Sequence, residues 1–388
     1  MTTTIDNEHK TFNVPNLRFP EFEGEWGKTK LKEISKFSKE RLKSIELSCS
    51  NYVTTENMLQ DYQGIVSATN LPTNTNVVKF SKGDVLLSNI RPYLKKVWYA
   101  DRNGGCSADV FVFKALPICN SNFLHHVIAN DRFIKFAMSG AKGVKMPRGD
   151  KEQMITYKVG LPCIEEQKKI AVFLSLIDER ISTQNKIIED LKKLKCAIIE
   201  KLYSEIQGKE YLYGQLFEVV NKRNKQMEYS NILSASQEKG MVNRDGLNLD
   251  IQFERSNINT YKIVRAGDYV IHLRSFQGGF AFSDKLGVCS PAYTILRPNC
   301  LLEYGYLSYY FTSHRFIKSL IIVTYGIRDG RSINIEEWLN MKVIIPSKEY
   351  QLHTLKILRS IEGKIENEET YTICLSNQKQ YLLNQMFI

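Results

Sequence analysis

Two loops in each half of this chain carry the residue types that bind polyanions and read polar edges. After Gly83-Asp84-Val85-Leu86-Leu87 come Asn89, Arg91, Tyr93, Lys95 and Lys96; after Gly267-Asp268-Tyr269-Val270-Ile271 come His272, Arg274, Phe276 and Gln277. Arg and Lys contact phosphates or a guanine edge, while Asn and Gln suit adenine. Further on, Lys142-Gly143-Val144-Lys145-Met146-Pro147-Arg148 answers to Gly326-Ile327-Arg328-Asp329-Gly330-Arg331. Glycine between cations lets backbone and charge approach a phosphate closely. The stretches before these loops, 44–79 and 229–262, diverge between halves. They hold Asn51, Thr54, Thr55 and Asn57 in one and Gln237, Lys239, Asn243 and Arg244 in the other. Any such loop taken singly is more often a solvated surface turn, and only its recurrence at matched places brings the two readings level. The recurrence of one chemistry at matched places singles out Asn89, Arg91, Tyr93, Lys95, Lys96, Lys142, Lys145, Arg148, His272, Arg274, Gln277, Arg328 and Arg331 as candidate binding residues, and the diverged stretch of the second half adds Lys239 and Arg244.

Motifs for catalysis are missing from the sequence. There is no G-x-x-x-x-G-K-[ST] phosphate loop, no G-x-S-x-G elbow and no H-E-x-x-H metal site. His125 and His126 are adjacent on a predicted helix and face different directions, a poor arrangement for a metal. Asn89-Ile90-Arg91-Pro92-Tyr93 is similar to the Asn-Pro-Pro-Tyr signature of DNA amino-methyltransferases, but Ile-Arg shifts the spacing and no glycine-rich cofactor loop lies upstream. The expectation is a binding protein with neither catalytic nor metal-ligating residues.

The elements that position these loops come in two copies. Residues 80–181 reappear at 264–365 with a nearly constant offset, and Arg132-Phe133-Ile134-Lys135 recurs unchanged as Arg315-Phe316-Ile317-Lys318. Short β-branched and aromatic runs such as Asp109-Val110-Phe111-Val112-Phe113 predict strands. Helices are expected over 122–139 and 302–321. After Leu161-Pro162, Leu174, Ile177, Ile181, Ile188, Leu191, Ile198 and Leu202 recur in three- and four-residue steps, a coiled-coil seam stopped at Gly208. After Pro346, Leu355, Leu358, Ile365, Leu375, Leu382 and Met386 form a second seam, interrupted by Gly363 and an acidic run. The expected fold is α+β: a first domain at 12–160, a helix at 161–208, a second domain at 209–346 and a helix at 347–388. The two helices pack antiparallel as a shared rod with a domain at each end, or each folds back on its own domain.

Composition agrees with a soluble chain of two or three domains: 388 residues, 43% hydrophobic and 24% charged. The eight cysteines are scattered and read as reduced thiols of a cytoplasmic protein. The N-terminus is polar, and no run is apolar enough for a membrane span. The net charge is +11, yet residues 165–206 are neutral and 349–388 carry −1. The excess therefore lies in the two globular blocks, which suits a polyanion-binding surface on each, although moderately basic proteins are common.

The whole chain resembles the specificity subunit of a type I restriction–modification system. The resemblance rests on Asn13-Val14-Pro15-Asn16-Leu17-Arg18-Phe19-Pro20-Glu21-Phe22-Glu23-Gly24-Glu25-Trp26, on Gly83-Asp84-Val85-Leu86-Leu87-Ser88, and on Leu161-Pro162-Cys163-Ile164-Glu165-Glu166-Gln167-Lys168-Lys169-Ile170 leading into the first long helix. The second junction departs from that pattern, with Tyr350 and Leu352 in place of Glu166 and Lys168. The resemblance implies two target-recognition domains related by a pseudo-twofold axis, each reading half of a bipartite, asymmetric site in double-stranded DNA. It implies no enzymatic activity of the chain itself. The expected partners are two modification (methyltransferase) subunits and restriction subunits, on which S-adenosylmethionine, ATP and magnesium belong. Two other readings stay open from the residues alone: a methyltransferase or nuclease with fused specificity, and a coiled-coil adaptor that binds only proteins.

Overall fold

The computed structural model describes residues 13–236, 239–243, 255–272, 279–325 and 332–388. The chain divides into two compact units, residues 1–186 with 369–388 and residues 187–368.

In the first unit the order is β1 (Gly27–Lys30), α1 (Leu31–Ile34), β2 (Ser35–Phe37), β3 (Arg41–Lys43), β4 (Tyr52–Val53), β5 (Asn76–Phe80), β6 (Val85–Ser88), β7 (Val97–Tyr99), β8 (Gly104–Cys106), β9 (Val110–Ala115), α2 (Ser121–Ile128), α3 (Asp131–Ser139), α4 (Lys151–Met154) and β10 (Lys158–Leu161). The long helix α5 (Ile164–Ser204) follows. One sheet runs β2-β9-β6-β7, a second runs β3-β5-β8-β4, and β1 pairs with β10. The face of the first sheet carrying Val85, Leu87, Phe111 and Phe113 packs on α2 and α3; the opposite face, with Leu86, Val110 and Val112, meets Phe80 and Trp98.

The second unit repeats this plan. Its elements are β11 (Lys209–Leu212), α6 (Tyr213–Leu216), β12 (Phe217–Val220), β13 (Leu233–Ser236), β14 (Gly240–Asn243), β15 (Lys262–Val264), β16 (Tyr269–Ile271), β17 (Phe280–Phe282), β18 (Gly287–Cys289), β19 (Thr294–Pro298), α7 (Tyr306–Tyr310), α8 (His314–Ser319), β20 (Thr324–Tyr325), β21 (Ser332–Ile333), α9 (Ile335–Leu339), β22 (Lys342–Ile345) and α10 (Lys348–Met386). Its main sheet is β12-β19-β16-β17, and β11 pairs with β22 as β1 pairs with β10.

The repeated Gly-Asp pair is a turn that launches the central strand. Gly83 and Gly267 have φ of 91° and 96°, a region open to glycine. The next residue's carboxylate accepts a backbone N–H three residues back, Ser81 to Asp84 at 2.8 Å and Arg265 to Asp268 at 2.9 Å. The repeated Arg-Phe-Ile-Lys contributes a wholly buried ring in each unit, Phe133 and Phe316. The single helices expected over 122–139 and 302–321 are each broken. Asn130 caps α3 by accepting from Arg132 N–H, and Ser313 caps α8 by accepting from Phe316 N–H, so each starts a new helix where one was expected to continue.

The helix pair is antiparallel within each unit. In the first, Asp178 pairs with Lys379 and Arg180 donates to the Tyr371 hydroxyl. In the second, Lys195 pairs with Glu362 at 2.5 Å and the Tyr350 hydroxyl donates to Leu202 O at 3.0 Å. All six residues of the α10 seam, Leu355, Leu358, Ile365, Leu375, Leu382 and Met386, are buried. Leu382 and Met386 enter the first unit's core and Leu355 and Leu358 the second's. At α5's start, buried Glu166 accepts from Arg18 Nε and Nη2 at 2.8 Å each and from Trp26 Nε1 at 3.2 Å. That contact explains why the opening segment and the first junction belong together.

Candidate nucleic-acid interface

In the first unit β6 ends, β2 ends and β9 begins at one edge of the main sheet. The antiparallel register of Ser88 with Val110, and the bond from Ser38 N–H to Val112 O at 2.9 Å, put them there. The loop leaving β6 turns at once, with Arg91 and Lys95 left-handed (φ 51° and 53°) around a short helical turn at Pro92–Leu94. The loop 142–148 lies against it. Arg91 N–H donates to Pro147 O at 2.8 Å, Gly149 N–H to Asn89 O at 3.1 Å, and Lys142 and Arg148 exchange two backbone bonds of 2.9 Å. Two loops nominated separately by sequence thus form one surface.

Their side chains divide by role. Tyr93 and Lys145 are exposed. Lys142 pairs with Asp150 at 3.0 Å and Arg148 with Asp109 at 3.4 Å, both with the cation largely in solvent. Lys95 is tied to Asp131 at 2.8 Å, over the Tyr62 ring, and Lys96 donates to Thr55 O at 2.6 Å, so both hold the loop in place. Asn89 Oδ1 and Arg91 Nε are buried with no hydrogen-bond partner. Of the polar readers upstream, Asn57 donates to Tyr52 O and Val66 O and accepts from Thr54 N–H, which makes it a part of the scaffold.

The same edge carries cations that the sequence reading passed over. Exposed Arg41 begins β3, and Lys151 Nζ lies 5.3 Å from the Phe37 ring and 4.9 Å from the Phe111 ring. Both act on the buried Cys106, whose thiol burial pushes up to about 12 against their opposing pull.

The second unit builds its counterpart after β12 and β16. His272 sits edge-on to Tyr293 at 5.1 Å, and Lys262 donates to Tyr293 O at 2.7 Å. Arg223 bridges Lys262 through the backbone, and burial, with Arg223 adding to it, holds the Lys262 ammonium below its usual value. Lys222, Arg223, Asn224 and Lys225 line an open concavity of about 640 Å³. Arg41 and Arg223 occupy equivalent places: each follows the first strand of its main sheet and pairs with the strand preceding the Gly-Asp turn. The signal for them was positional, because the residues around them differ between halves. Lys239 is exposed at the turn between β13 and β14. Arg244, Arg274, Gln277, Arg328 and Arg331 lie outside the described residues.

His125 and His126 do not diverge as their adjacency suggested. Their rings are 4.9 Å apart, and with Asp178 they bring ligand atoms within 4.8 Å of one another. Lys379 supplies the cation facing Asp178. Burial first, and Lys379 next, pushes the His125 imidazole down to about 3; burial drives His126 well below its ordinary range as well. Among the described residues no helix is long and apolar enough to cross a membrane.

A family profile described as "Type I restriction modification DNA specificity domain" matches residues 23–193. The chain is 27% identical over 282 residues to the type I restriction enzyme MjaVIII specificity subunit of Methanocaldococcus jannaschii, covering 64% of this chain and 65% of that protein. A putative MjaX specificity subunit of the same organism is 23% identical over 269 residues, covering 64% and 63%. The chain thus spans somewhat less than two thirds of these relatives' length. Among solved structures, a chain from a study of assembly and conformational transition of the type I R-M system aligns with a TM-score of 0.57 at 17% identity, covering 93% of this chain and 97% of that one. The type I restriction–modification S subunit from M. genitalium aligns with a TM-score of 0.56 at 15% identity, covering 97% and 99%. These likenesses share the fold.

Proposed function

We propose, from the type I restriction–modification DNA specificity profile that matches residues 23–193, that this chain is a specificity subunit of that kind and the non-catalytic reader of a bipartite DNA sequence. One observation carries the reading: each unit presents cations and polar groups at the same edge of the same sheet, Arg41 with Lys142 and Arg148 in one, Arg223 with Lys262 and His272 in the other. The units share a scaffold and differ in the side chains they hold there, as reading two unlike half-sites requires. Phosphate contacts from the exposed cations supply affinity, and loop groups reaching base edges supply sequence discrimination. The helices α5 and α10 act as the spacer between half-sites.

The chain recruits two methyltransferase subunits, with restriction subunits joining them; S-adenosylmethionine, ATP and magnesium belong to those partners. Exposed Val172, Phe173 and Leu176 on α5 form one docking face. The equivalent places on α10 are Lys356, Ile357 and Ser360, a more polar surface, so the two methyltransferase contacts differ in strength. The test is selection from a random duplex pool by the full chain co-expressed with its methyltransferase subunit. Enrichment of two unlike short motifs at a fixed gap supports the proposal. A single contiguous motif, or none, refutes it.

A further inference from the structure

We propose that Val144 and Met146 form an apolar wedge that enters a base step of the DNA read by the first unit. The proposal rests on the DNA-reading function above and assigns these two side chains a part in it.

The loop is built as a rigid stem with an apolar tip. Lys142 and Arg148 close the stem with two backbone bonds of 2.9 Å, and Arg148 is bridged on its other side to Ile90. Pro147 is buried, and its carbonyl accepts from Arg91 N–H. Gly143 turns the chain at φ 96°, and a Cβ there would stand 3.3 Å from Met146 O. The Asp150 carboxylate caps α4 while pairing with Lys142, which fixes the stem to the domain. Above this stem Val144 is fully exposed and Met146 is half exposed. A disordered loop would lose its freedom on binding; this one is ordered in advance.

The chemistry around the tip selects the occupant. Lys145 lies between the two apolar side chains, and Lys142 and Arg148 flank them. Two side chains are far too small a patch for a protein partner, which needs roughly 800 Å² per side. A pair of apolar tips framed by cations matches a base step framed by phosphates. Apolar side chains inserted at such steps unstack the bases and kink the duplex, and the bent DNA repays that cost through added contacts. Base unstacking beside a recognition site also lowers the energy a partner must spend to extrude a base.

The test uses the full chain with its co-expressed methyltransferase subunit and a duplex recovered by selection, carrying 2-aminopurine at one position after another. Anisotropy first establishes saturation. At saturation, a several-fold rise in 2-aminopurine fluorescence is expected at one step within the first unit's half-site, and its loss is expected in the Val144→Ser, Met146→Ser double variant on duplex held equally saturated. Both positions are exposed, so the double variant folds. Away from the base that the methyltransferase extrudes, saturated duplex without a rise at any step, or a rise that survives in the double variant, overturns the wedge while leaving the DNA-reading function standing. Absence of saturable binding removes that function, and the wedge with it.

Discussion

Gln351 repeats the hydrogen bonding of Gln167. The Gln167 amide donates to Ile118 O at 3.1 Å and Pro162 O at 2.9 Å and accepts from Asn120 N–H at 2.8 Å. The Gln351 amide donates to Leu301 O at 3.0 Å and Pro346 O at 3.1 Å and accepts from Glu303 N–H at 2.8 Å. Both are almost wholly buried. Each pins the start of a long helix to the loop that follows its unit's main sheet. Truncation leaves buried carbonyls and an N–H unpaired, so Gln167→Ala or Gln351→Ala should cost about 2–4 kcal/mol. Chemical denaturation of each variant checks this; a loss below about 1 kcal/mol would show the clamp to be dispensable.

The buried histidines set the acid limit of the first unit. His125 and His126 stay neutral in the fold, whereas in the unfolded chain each binds a proton as pH falls through about 6.5. The unfolded state then holds more protons, so stability falls with pH below that value and is recovered above it. For the wholly buried His126, held well below its ordinary range by burial, stability at pH 5 should be lower than at neutral pH. His126→Leu should flatten stability against pH between about 6.5 and 4.5. An unchanged slope would mean the imidazole is protonated in the fold.

Arg41 and Arg223 should act on affinity and leave sequence preference alone. Each contacts at most one phosphate in this account, so Arg41→Ala or Arg223→Ala should lower the slope of log affinity against log salt by about 0.9. Titration of a selected and a scrambled duplex at several salt concentrations measures it. A change confined to the selected duplex would instead make these residues base readers.

Gly363 lies inside α10 with nothing within 4 Å of where a Cβ would stand. Gly363→Ala should therefore stabilise the chain by about 1 kcal/mol, seen as a raised denaturation midpoint. A lower midpoint would show that the helix needs its freedom there.

Much of this was legible in the sequence because it rests on local spacing. The seam on α10 follows from the placing of Leu355 through Met386, and the Gly-Asp turns need one positive φ and one carboxylate. The pairing of β1 with β10 joins Gly27 to Leu161 across the whole block, and no local pattern reports such a contact. The breaks at Asn130 and Ser313 were missed because apolar periodicity continues through a cap that only side-chain geometry reveals. Lys95 and Lys96 were chosen as candidate binding residues by type and place alone, because the partners that hold them, Asp131 and Thr55, lie far along the chain. His125 and His126 were separated on helical geometry, which takes no account of Asp178 and Lys379 arriving from other helices.

The central claim is that each unit reads its own half of the target. Exchanging residues 12–160 for the matching block of a type I specificity subunit with a different target, in the chain co-expressed with its methyltransferase subunit, tests it through single-molecule mapping of methylated adenines. The account predicts that one half of the motif changes while the other half and the gap stay as they were. A motif that changes in both halves, or in neither, would contradict it.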